Sequence, residues 1–308
     1  MADRWCLGID TSNYTTSVAG CRADGLHHAR RRPLEVSAGQ RGLRQSDALF
    51  LHVRALPALV EALCAQFDGP PACVAVSATP RDAADSYMPC FLAGVSAARS
   101  AAAALGVPCH ELSHQRGHVL AALLGCGRLD LLGRPHAAFH VSGGTTELLR
   151  VEADPHGDGA ITLLGGSADL NAGQLVDRCG LQVGLDFPCG PALEALAEQG
   201  RPTIPPMKFA PAAQINLSGL ENAFARLLEK HPAEDVACWL LESIAAALVA
   251  LAAHRLAGET LTLVLAGGVL SNRRIAQRLS ARFDAVSTGH GYAADNACGV
   301  ALYGALRL

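Results

Sequence analysis

The chain is poor in aromatic and charged residues, and this scarcity already limits its class. Aromatic residues make up 5% of the 308 residues and charged residues 17%, whereas apolar residues make up 50%. A disordered chain is excluded, because such chains combine low hydrophobicity with high charge. The length is sufficient for two domains or for one large domain with a well-buried core.

The chain lacks cysteine pairs with metal spacing, and it lacks long apolar runs. None of the eleven cysteines forms a C-x-x-C pair, and an odd count without such spacing indicates reduced thiols. The segment "MADRWCLGID" has no apolar region typical of a signal peptide. The longest uncharged apolar run, residues 244–253, is too short to cross a bilayer. We therefore expect a cytoplasmic protein without a membrane partner.

An excess of positive charge is also missing. The formal net charge is -3, so there is no global attraction to nucleic acid, and no DNA partner is expected. The local exception is the run Arg30, Arg31 and Arg32, followed by Arg41 and Arg44. Both a solvated basic loop and an RNA contact account for such a cluster.

The order of the predicted elements repeats along the chain. "RWCLGID" and "SVAGCRA" read as strands followed by a hairpin turn at Asp24-Gly25, and "HAAFHVSGGTTELLRVEA" and "AITLLGG" repeat this pattern later. Helices and further strands follow in each half. The pattern predicts an α/β protein with two duplicated domains, residues 1–134 and 135–308, and a cleft between them. Ser46 is predicted to cap the first long helix, and Gly106 to end an alanine-rich one.

Two histidines stand at the start of an apolar run in "SHQRGHVLAA". His114 and His118 would share one face of a helix, where two imidazoles can bind one divalent metal. The residues between them do not include the Glu that serves as general base in H-E-x-x-H metallopeptidases. The spacing by itself leaves open both a metal site and an ordinary polar helix start.

Three turns at strand ends are rich in Gly, Ser and Thr. They are residues 10–16, 141–147 and 266–272. Backbone N–H groups in such turns can approach an anion without an intervening Cβ, and a helix start adds positive potential. A single such turn is often only a tight turn, but three in a duplicated α/β chain favour a nucleotide site.

A set of motifs runs in order through nearly the whole chain, from about residue 6 to about residue 303. The motifs are "GIDTS", "SHQRGH", "VSGGTTEL", "AGQLVDR", "DFPCGP", "NLSGLENAF", "LAGGVLSNRR" and "AADNA". Together they resemble the family of the bacterial tRNA adenosine threonylcarbamoyltransferase, also called the universal glycoprotease-like family. The resemblance implies a two-lobed, duplicated actin-like ATPase fold, as in sugar kinases, Hsp70 chaperones and actin. It also implies an interlobe cleft and a final helix that returns toward the first lobe.

The resemblance implies a metal site and a nucleotide site. In the family, two histidines of this helix and an Asp in a D-N-A motif bind a divalent metal, iron or zinc; these positions correspond to His114, His118 and Asp295. The nucleotide-binding positions correspond to His140, Val141, Ser142, Gly143, Gly144, Asp177, Gly190 and Asn272.

Three of these nucleotide-binding positions also have simpler interpretations when each is taken singly. Asp177 fits a helix-surface charge, Gly190 a loop glycine and Asn272 an N-cap. No residue stands out as an obligatory catalytic base, so the catalytic residues are left unassigned.

Several positions depart from the family's pattern, which is consistent with a divergent paralogue. Thr145 replaces a His that often follows the Ser-Gly-Gly turn, Gln174 replaces a Glu, and Cys189 replaces a Gly. Glu221 stands in a segment where a Lys is expected, which inverts the charge, and a Gly-Pro-Gly loop is absent.

The implied function is an enzyme that transfers a threonylcarbamoyl group from threonylcarbamoyl-adenylate to the exocyclic amine of adenosine in tRNA. It would need one divalent metal and other subunits of a threonylcarbamoylation complex. The departures keep a second hypothesis open, a non-catalytic paralogue that binds ATP or ADP and regulates a complex. A peptidase is disfavoured because the histidine pair lacks its Glu.

Overall fold

The computed structural model describes residues 4–12, 14–35, 43–288 and 296–308. These residues divide into two units. Unit 1 comprises Met1–Gly133, Ala153–Gly159 and Asp295–Leu308, and unit 2 comprises Arg134–Glu152 and Ala160–Ala294. Unit 1 is thus assembled from three separate stretches of the chain.

Each unit is built of one sheet and several helices. The strands are β1 (Cys6–Asp10), β2 (Thr15–Cys21), β3 (His27–Pro33), β4 (Cys73–Thr79), β5 (Cys109–Ser113), β6 (His136–Val141), β7 (Thr146–Val151), β8 (Ile161–Ser167), β9 (Gln214–Ile215), β10 (Leu263–Ala266) and β11 (Ala285–Ser287). The helices are α1 (Gln45–Cys64), α2 (Phe91–Leu105), α3 (His114–Gly125), α4 (Ala172–Gln182), α5 (Gly190–Gln199), α6 (Ser218–Leu228), α7 (Ala233–Arg255), α8 (Arg273–Ser280) and α9 (Ala297–Ala305). Short 3-10 helices cover Leu129–Gly133 and Gly268–Ser271.

The two sheets have the same topology. In unit 1 the strand order is β3-β2-β1-β4-β5, and in unit 2 the order β8-β7-β6-β10-β11 repeats it, with β9 added beside β8. In each sheet the first three strands along the chain pair as antiparallel neighbours. The next strands of the shared order run parallel to the first strand of the unit, which is β1 or β6. The duplication expected from the sequence is therefore present in the pairing of the strands.

The local turn and capping predictions agree with the structure at two points and fail at one. The backbone N–H of Gly25 donates to the carbonyl of Arg22 at the predicted hairpin, and Gly106 ends α2 with a φ of 68°. The prediction that Ser46 caps α1 is wrong. The N-cap is Arg44, because its carbonyl accepts the N–H groups of Asp47 and Ala48. Ser46 therefore lies within the first turn of the helix.

Helix α9 lies unusually close to α3 and β1, because glycines stand at the crossings. A Cβ at Gly299 would overlap the carbonyl oxygen of Gly117 and lie 2.5 Å from the backbone nitrogen of Ala121 on α3. A Cβ at Gly8 would overlap the backbone nitrogen of Ala301 in the same way. The end of the chain is thereby fixed against the helix that carries the histidine pair.

Helix α7 forms the centre of the core of unit 2. It is the one helix in the described part of the chain that is long and apolar enough to cross a membrane, and 83% of its most apolar window is buried. Its side chains pack among those of β6, α4, α5, α6 and α8. The core of a folded domain therefore accounts for its composition.

Asp169 stabilises the start of α6. Its carboxylate accepts hydrogen bonds from the backbone N–H groups of Leu217 at 2.8 Å and Ser218 at 3.1 Å, and from the Ser218 hydroxyl at 2.5 Å. Partial burial raises the pKa of Asp169, but these hydrogen bonds outweigh it and lower the pKa to about 2.

This low pKa predicts a pH-dependent contribution to stability. Because the pKa is depressed in the folded state, the contribution is present above the unfolded value near 3.9 and is lost as the pH falls toward 2. Asp169→Ala should lower the free energy of unfolding by about 1 kcal/mol at neutral pH, and the difference from wild type should shrink below about pH 4. Urea denaturation across this pH range measures it, with Glu229→Ala at the other end of α6 as control. A constant difference at all pH values would contradict the assignment.

Candidate metal and nucleotide sites

The histidine pair lies on one face of the first turns of α3. The side chain of Ser113 is the N-cap and accepts the backbone N–H of Arg116 at 3.0 Å, which fixes the start of the helix at His114. The Nε2 atoms of His114 and His118 are 3.0 Å apart. The predicted shared face is therefore confirmed.

A buried carboxylate orients the first of these imidazoles. Asp10 ends β1 and is 1% exposed, and its Oδ2 lies 2.9 Å from Nδ1 of His114. Burial raises the pKa of Asp10, but the neighbouring imidazole of His114 and the side-chain amide of Asn296 outweigh this and lower the pKa. A carboxylate at Nδ1 orients the imidazole and favours the tautomer whose lone pair is on Nε2, the atom that faces His118, as is common for metal-bound histidines.

Sequence reasoning did not assign Asp10 to this site. It noted the turn that begins at Asp10, but only as a phosphate-binding turn. The feature of the sequence that could have identified Asp10 is its position at the end of a buried strand. Its proximity to His114 depends on the parallel pairing of β1 with β4 and of β4 with β5, which leads directly into α3. That pairing cannot be read from residue spacing.

Asn296 joins the cluster from the start of α9. Its side-chain nitrogen donates to Asp10 and lies 3.3 Å from the hydroxyl oxygen of Ser77, and its buried Oδ1 has no hydrogen-bond partner within the described ranges. The preceding residue, Asp295, is the third predicted metal ligand and lies outside the described residues. Asn296 itself contacts the pair, because its side-chain nitrogen lies 2.7 Å from Nδ1 of His114.

The described residues fit a divalent metal only in part. A metal–nitrogen distance of about 2.0–2.1 Å allows one ion to contact two imidazole nitrogens separated by 3.0 Å. Imidazoles suit iron and zinc, and the buried Asp10 supplies the outer support that such ligands require. Among the residues that the structure describes, no group of three or more His, Cys, Asp or Glu side chains is arranged to hold a metal ion.

In unit 2, the turn after β6 presents its backbone to the solvent. The N–H of Ser142 donates to the carbonyl of Thr145 at 2.8 Å and closes the turn. Gly143 and Gly144 are exposed at its tip, and no atom lies within 4 Å of a Cβ placed on either. An anionic group can therefore approach this backbone closely.

The other two predicted residues of this segment, His140 and Val141, have buried side chains. Their side chains are 3% and 0% exposed, respectively. Their assignment to the nucleotide site stays a prediction.

The start of α4 is fastened to the same turn. The backbone N–H of Gly173 donates to the carbonyl of Ser142 at 3.2 Å, and the side chain of Asn171 donates to the carbonyl of Gly144 at 2.9 Å. A Cβ at Gly173 would lie 2.5 Å from the oxygen of Ser142, so only glycine permits this contact. Sequence reasoning quoted Gly173 within a family motif but did not assign it, and Asn171 lies just before that motif.

The Gly-Gly turn after β10 lies beside the turn after β6, because β6 and β10 are parallel neighbours with Ala266 opposite His140. Gly267 has a φ of 100°, and a Cβ on it would lie 2.8 Å from the carbonyl carbon of Val141. Two of the three predicted phosphate turns are thus adjacent at one edge of the sheet.

Asn272 is the N-cap of α8. Its side-chain oxygen accepts the N–H of Ile275 at 3.1 Å. The side-chain oxygen therefore has the N-cap role that the simpler interpretation predicted. Any contact of the side chain with a nucleotide is left to its nitrogen.

Asp177 and Gly190 lie together where α4 faces the start of α5. The carboxylate of Asp177 accepts the N–H of Cys189 at 2.8 Å, and burial raises the pKa of Asp177. A half-buried, hydrogen-bonded carboxylate differs from the surface charge that the simpler interpretation predicted. Gly190 is the first residue of α5, and no atom lies within 4 Å of a Cβ on it.

Three of the positions that depart from the family's pattern have local contacts in unit 2. The carbonyl of Thr145 closes the turn after β6, and the N–H of Cys189 binds Asp177. Glu221 forms an ion pair with Arg178 at 3.2 Å, so its inverted charge is compensated by α4. Gln174 is exposed near the start of α4.

The repeated strand order of the two units defines an actin-like ATPase fold, the class that includes sugar kinases. Component A of (R)-2-hydroxyglutaryl-CoA dehydratase from Acidaminococcus fermentans is similar in structure, with a TM-score of 0.58 and 14% identity over 99% of this chain and 100% of that one. A ROK family glucokinase from Streptomyces griseus, solved with glucose and AMPPNP, gives a TM-score of 0.51 and 13% identity over 96% of this chain and 98% of that one. These likenesses confirm the predicted fold.

Sequence comparison identifies the family within that fold. The family model of tRNA N6-adenosine threonylcarbamoyltransferase matches residues 46–302. The enzyme of that name from Aromatoleum aromaticum is 36% identical over 294 residues, which cover 89% of this chain and 81% of the relative. The chain therefore belongs to the tRNA N6-adenosine threonylcarbamoyltransferase family, a family of transferases, as the motifs indicated.

Proposed function

We propose that this protein is a metal-dependent transferase that moves a threonylcarbamoyl group from threonylcarbamoyl-adenylate to the exocyclic amine of an adenosine in tRNA, together with other subunits. The observation that carries the proposal is the pair of Nε2 atoms of His114 and His118, 3.0 Å apart and supported by the buried Asp10.

The residues of unit 1 would hold the metal. His114, His118 and Asp295 would be the ligands, and Asp10 would orient the imidazole of His114 through its Nδ1. A divalent ion bound there, iron or zinc, supplies Lewis-acid stabilisation of negative charge on an acyl phosphate. The residues between His114 and His118 do not include the Glu that serves as general base in zinc peptidases. This agrees with a transfer reaction that needs no such base.

The residues of unit 2 would hold the nucleotide. The backbone of the exposed residues Gly143 and Gly144 suits a phosphate group, because backbone N–H groups in a glycine turn attract anions. Asp177 would accept a hydrogen bond from a ribose hydroxyl, and Gly190 leaves room for the nucleotide beside the backbone. Asn272 would contribute through its side-chain nitrogen.

The transfer itself is a simple substitution. The adenosine amine forms a bond to the carbamoyl carbon, the bond from that carbon to the phosphate oxygen breaks, AMP leaves, and the amine loses one proton. The amine is already nucleophilic, so positioning and charge stabilisation account for most of the expected acceleration. No general base is assigned to this chain.

A second candidate is a nucleotide-binding paralogue that regulates a complex without transferring a group. The ion pair between Glu221 and Arg178 favours it, because a negative and compensated side chain stands in the segment where the family carries a cation. In that case the nucleotide site and the metal site are retained, but no modified nucleoside forms.

The deciding experiment supplies threonylcarbamoyl-adenylate, tRNA, a divalent metal and cell extract as the source of partner subunits, and measures the modified adenosine by mass spectrometry. We expect the product with wild type. Asp177→Ala should raise KM for the donor by the equivalent of about 1–3 kcal/mol, because a ribose hydroxyl loses its acceptor. The exposed Asp186→Ala is the matched control. Donor binding without product under every partner condition would replace the transferase proposal with the regulator.

A further inference from the structure

Strand β3 carries three consecutive arginines, Arg30, Arg31 and Arg32. It is an edge strand of the sheet of unit 1, paired with β2 on one side only within the described residues. Arg31 and Arg32 are exposed and Arg30 is half-buried. The same cluster in the sequence included Arg41, which lies outside the described residues, and Arg44.

The positive charge of this strand is not neutralised by the described part of the protein. None of the three arginines forms an ion pair there; Nη1 of Arg30 donates to the carbonyl of Ala29 at 2.9 Å. Of the two nearest acidic residues in the sequence, Asp24 is paired with Arg22 at 2.9 Å, and Glu35 forms no ion pair with the three arginines within the described residues. In a chain with a net charge of -3, the strand is therefore a local region of opposite sign.

The register of β3 places the arginines on both sides of the sheet edge. Arg30 pairs with Val18, which belongs to the hydrophobic core, and Arg32 pairs with Thr16 two residues away, so both project from that face. Their Cα atoms are about 7 Å apart, the distance of two strand steps. Arg31 pairs with Ser17 and projects from the opposite face. The register thus places Arg30 and Arg32 on one face of the strand and Arg31 on the other.

Protection of an edge strand against aggregation is the simpler explanation. Natural edge strands are often protected by one inward or exposed charge, usually a Lys. Three arginines in succession exceed that need, and Arg offers the planar, multidentate donor that suits phosphate. The family model matches residues 46–302, so the matched region does not include β3.

We propose that β3 is a phosphate-binding surface for an RNA backbone, formed by Arg30, Arg31 and Arg32. The proposal rests on the proposed function only for the identity of the RNA, a tRNA. The contacts are electrostatic and independent of sequence, because guanidinium groups on phosphates position an RNA without reading its bases. The strand would hold the RNA while the chemistry takes place elsewhere.

The test measures the affinity of the full-length protein for unfractionated tRNA by fluorescence anisotropy between 50 and 200 mM salt. Three variants are compared with wild type. One replaces the three arginines by Gln, one replaces them by Lys, and a control replaces Arg201, Arg226 and Arg282 by Gln. The control arginines are exposed in unit 2 and form no ion pair within the described residues, so both Gln variants change the net charge equally. Circular dichroism and gel filtration check folding and association.

The Gln variant of β3 should lose about 10- to 100-fold in affinity at low salt, and the slope of log affinity against log salt should fall by about two to three units. The Lys variant should keep most of the slope, which separates charge from strand folding, and the unit 2 control should behave as wild type. Equal losses in the β3 Gln variant and the control would overturn the proposal. So would aggregation of the β3 Gln variant with unchanged RNA affinity, which would establish edge protection.

The same measurements separate this proposal from the proposed function. If wild type forms the modified adenosine but the β3 Gln variant binds tRNA normally, the surface fails and the transferase stands. If wild type binds tRNA through β3 but no product forms, the surface stands and the transferase fails.

Discussion

The His114→Ala, His118→Ala double variant is expected to lose the bound metal and the transferase activity together. Wild type should hold about one equivalent of iron or zinc per chain, and the affinity of the variant should fall by more than about 100-fold, since the loss of outer-shell support alone costs 10- to 100-fold. Metal content after purification in iron- or zinc-supplemented medium, followed by titration of the apoprotein, measures the change.

Two further variants sharpen this test. His231→Ala, His254→Ala removes two exposed histidines of unit 2 and should leave the metal content unchanged. Asp10→Asn keeps both ligands but removes the carboxylate from Nδ1 of His114, so it should weaken metal binding by about 10- to 100-fold. Equal metal content in wild type and the His114→Ala, His118→Ala variant would refute the site, including the proposed role of Asp295.

Gly299→Ala is expected to be the most destabilising single methyl addition in unit 1. The added Cβ would overlap the carbonyl of Gly117, so α9 and α3 would have to separate. Overpacking of this kind costs about 1–3 kcal/mol or more, and here both contacts are rigid backbone atoms. Thermal and urea denaturation measure the loss. Metal affinity should also fall, because the same displacement moves α3 relative to Asn296.

The matched control is Gly219→Ala, near the start of α6. No atom lies within 4 Å of a Cβ at that position, so the substitution should be neutral or should stabilise by about 0.5–1 kcal/mol through the loss of backbone entropy. If both alanines have the same small effect, the close crossing of α3 and α9 is not a rigid contact.

The regular elements could be predicted from the sequence because local chemistry determines them. The hairpin at Gly25 and the end of α2 at Gly106 follow from backbone conformations that glycine adopts without strain. Position Ser46 shows the limit of this reasoning. Gln45, Ser46 and Asp47 are all compatible with a helix start, and the choice among them depends on where α1 meets the core.

The site could be predicted only where neighbours in sequence are neighbours in space. His114 and His118 are such a pair. Asp10 is far from them in sequence and reaches His114 only through the strand order of the sheet, and Gly173 supports Ser142 through packing of α4 that no spacing reveals.

The division into units also could not be read from the sequence. Residues 153–159 belong to unit 1, where Arg116 donates to the carbonyl of Gly159 at 3.0 Å and Arg307 pairs with Asp158.

The order in which the ribosome makes this chain has a consequence for the metal site. Helix α9 is translated after all of unit 2, yet it fills the core of unit 1 against β1 and α3. During translation unit 2 can therefore fold as soon as it is complete, whereas unit 1 must wait with Gly8 and Gly117 uncovered. A ribosome stalled just before α9 would hold a chain with a folded second unit and an unfinished first one. The contact of Asn296 with His114 would form only after that helix has docked.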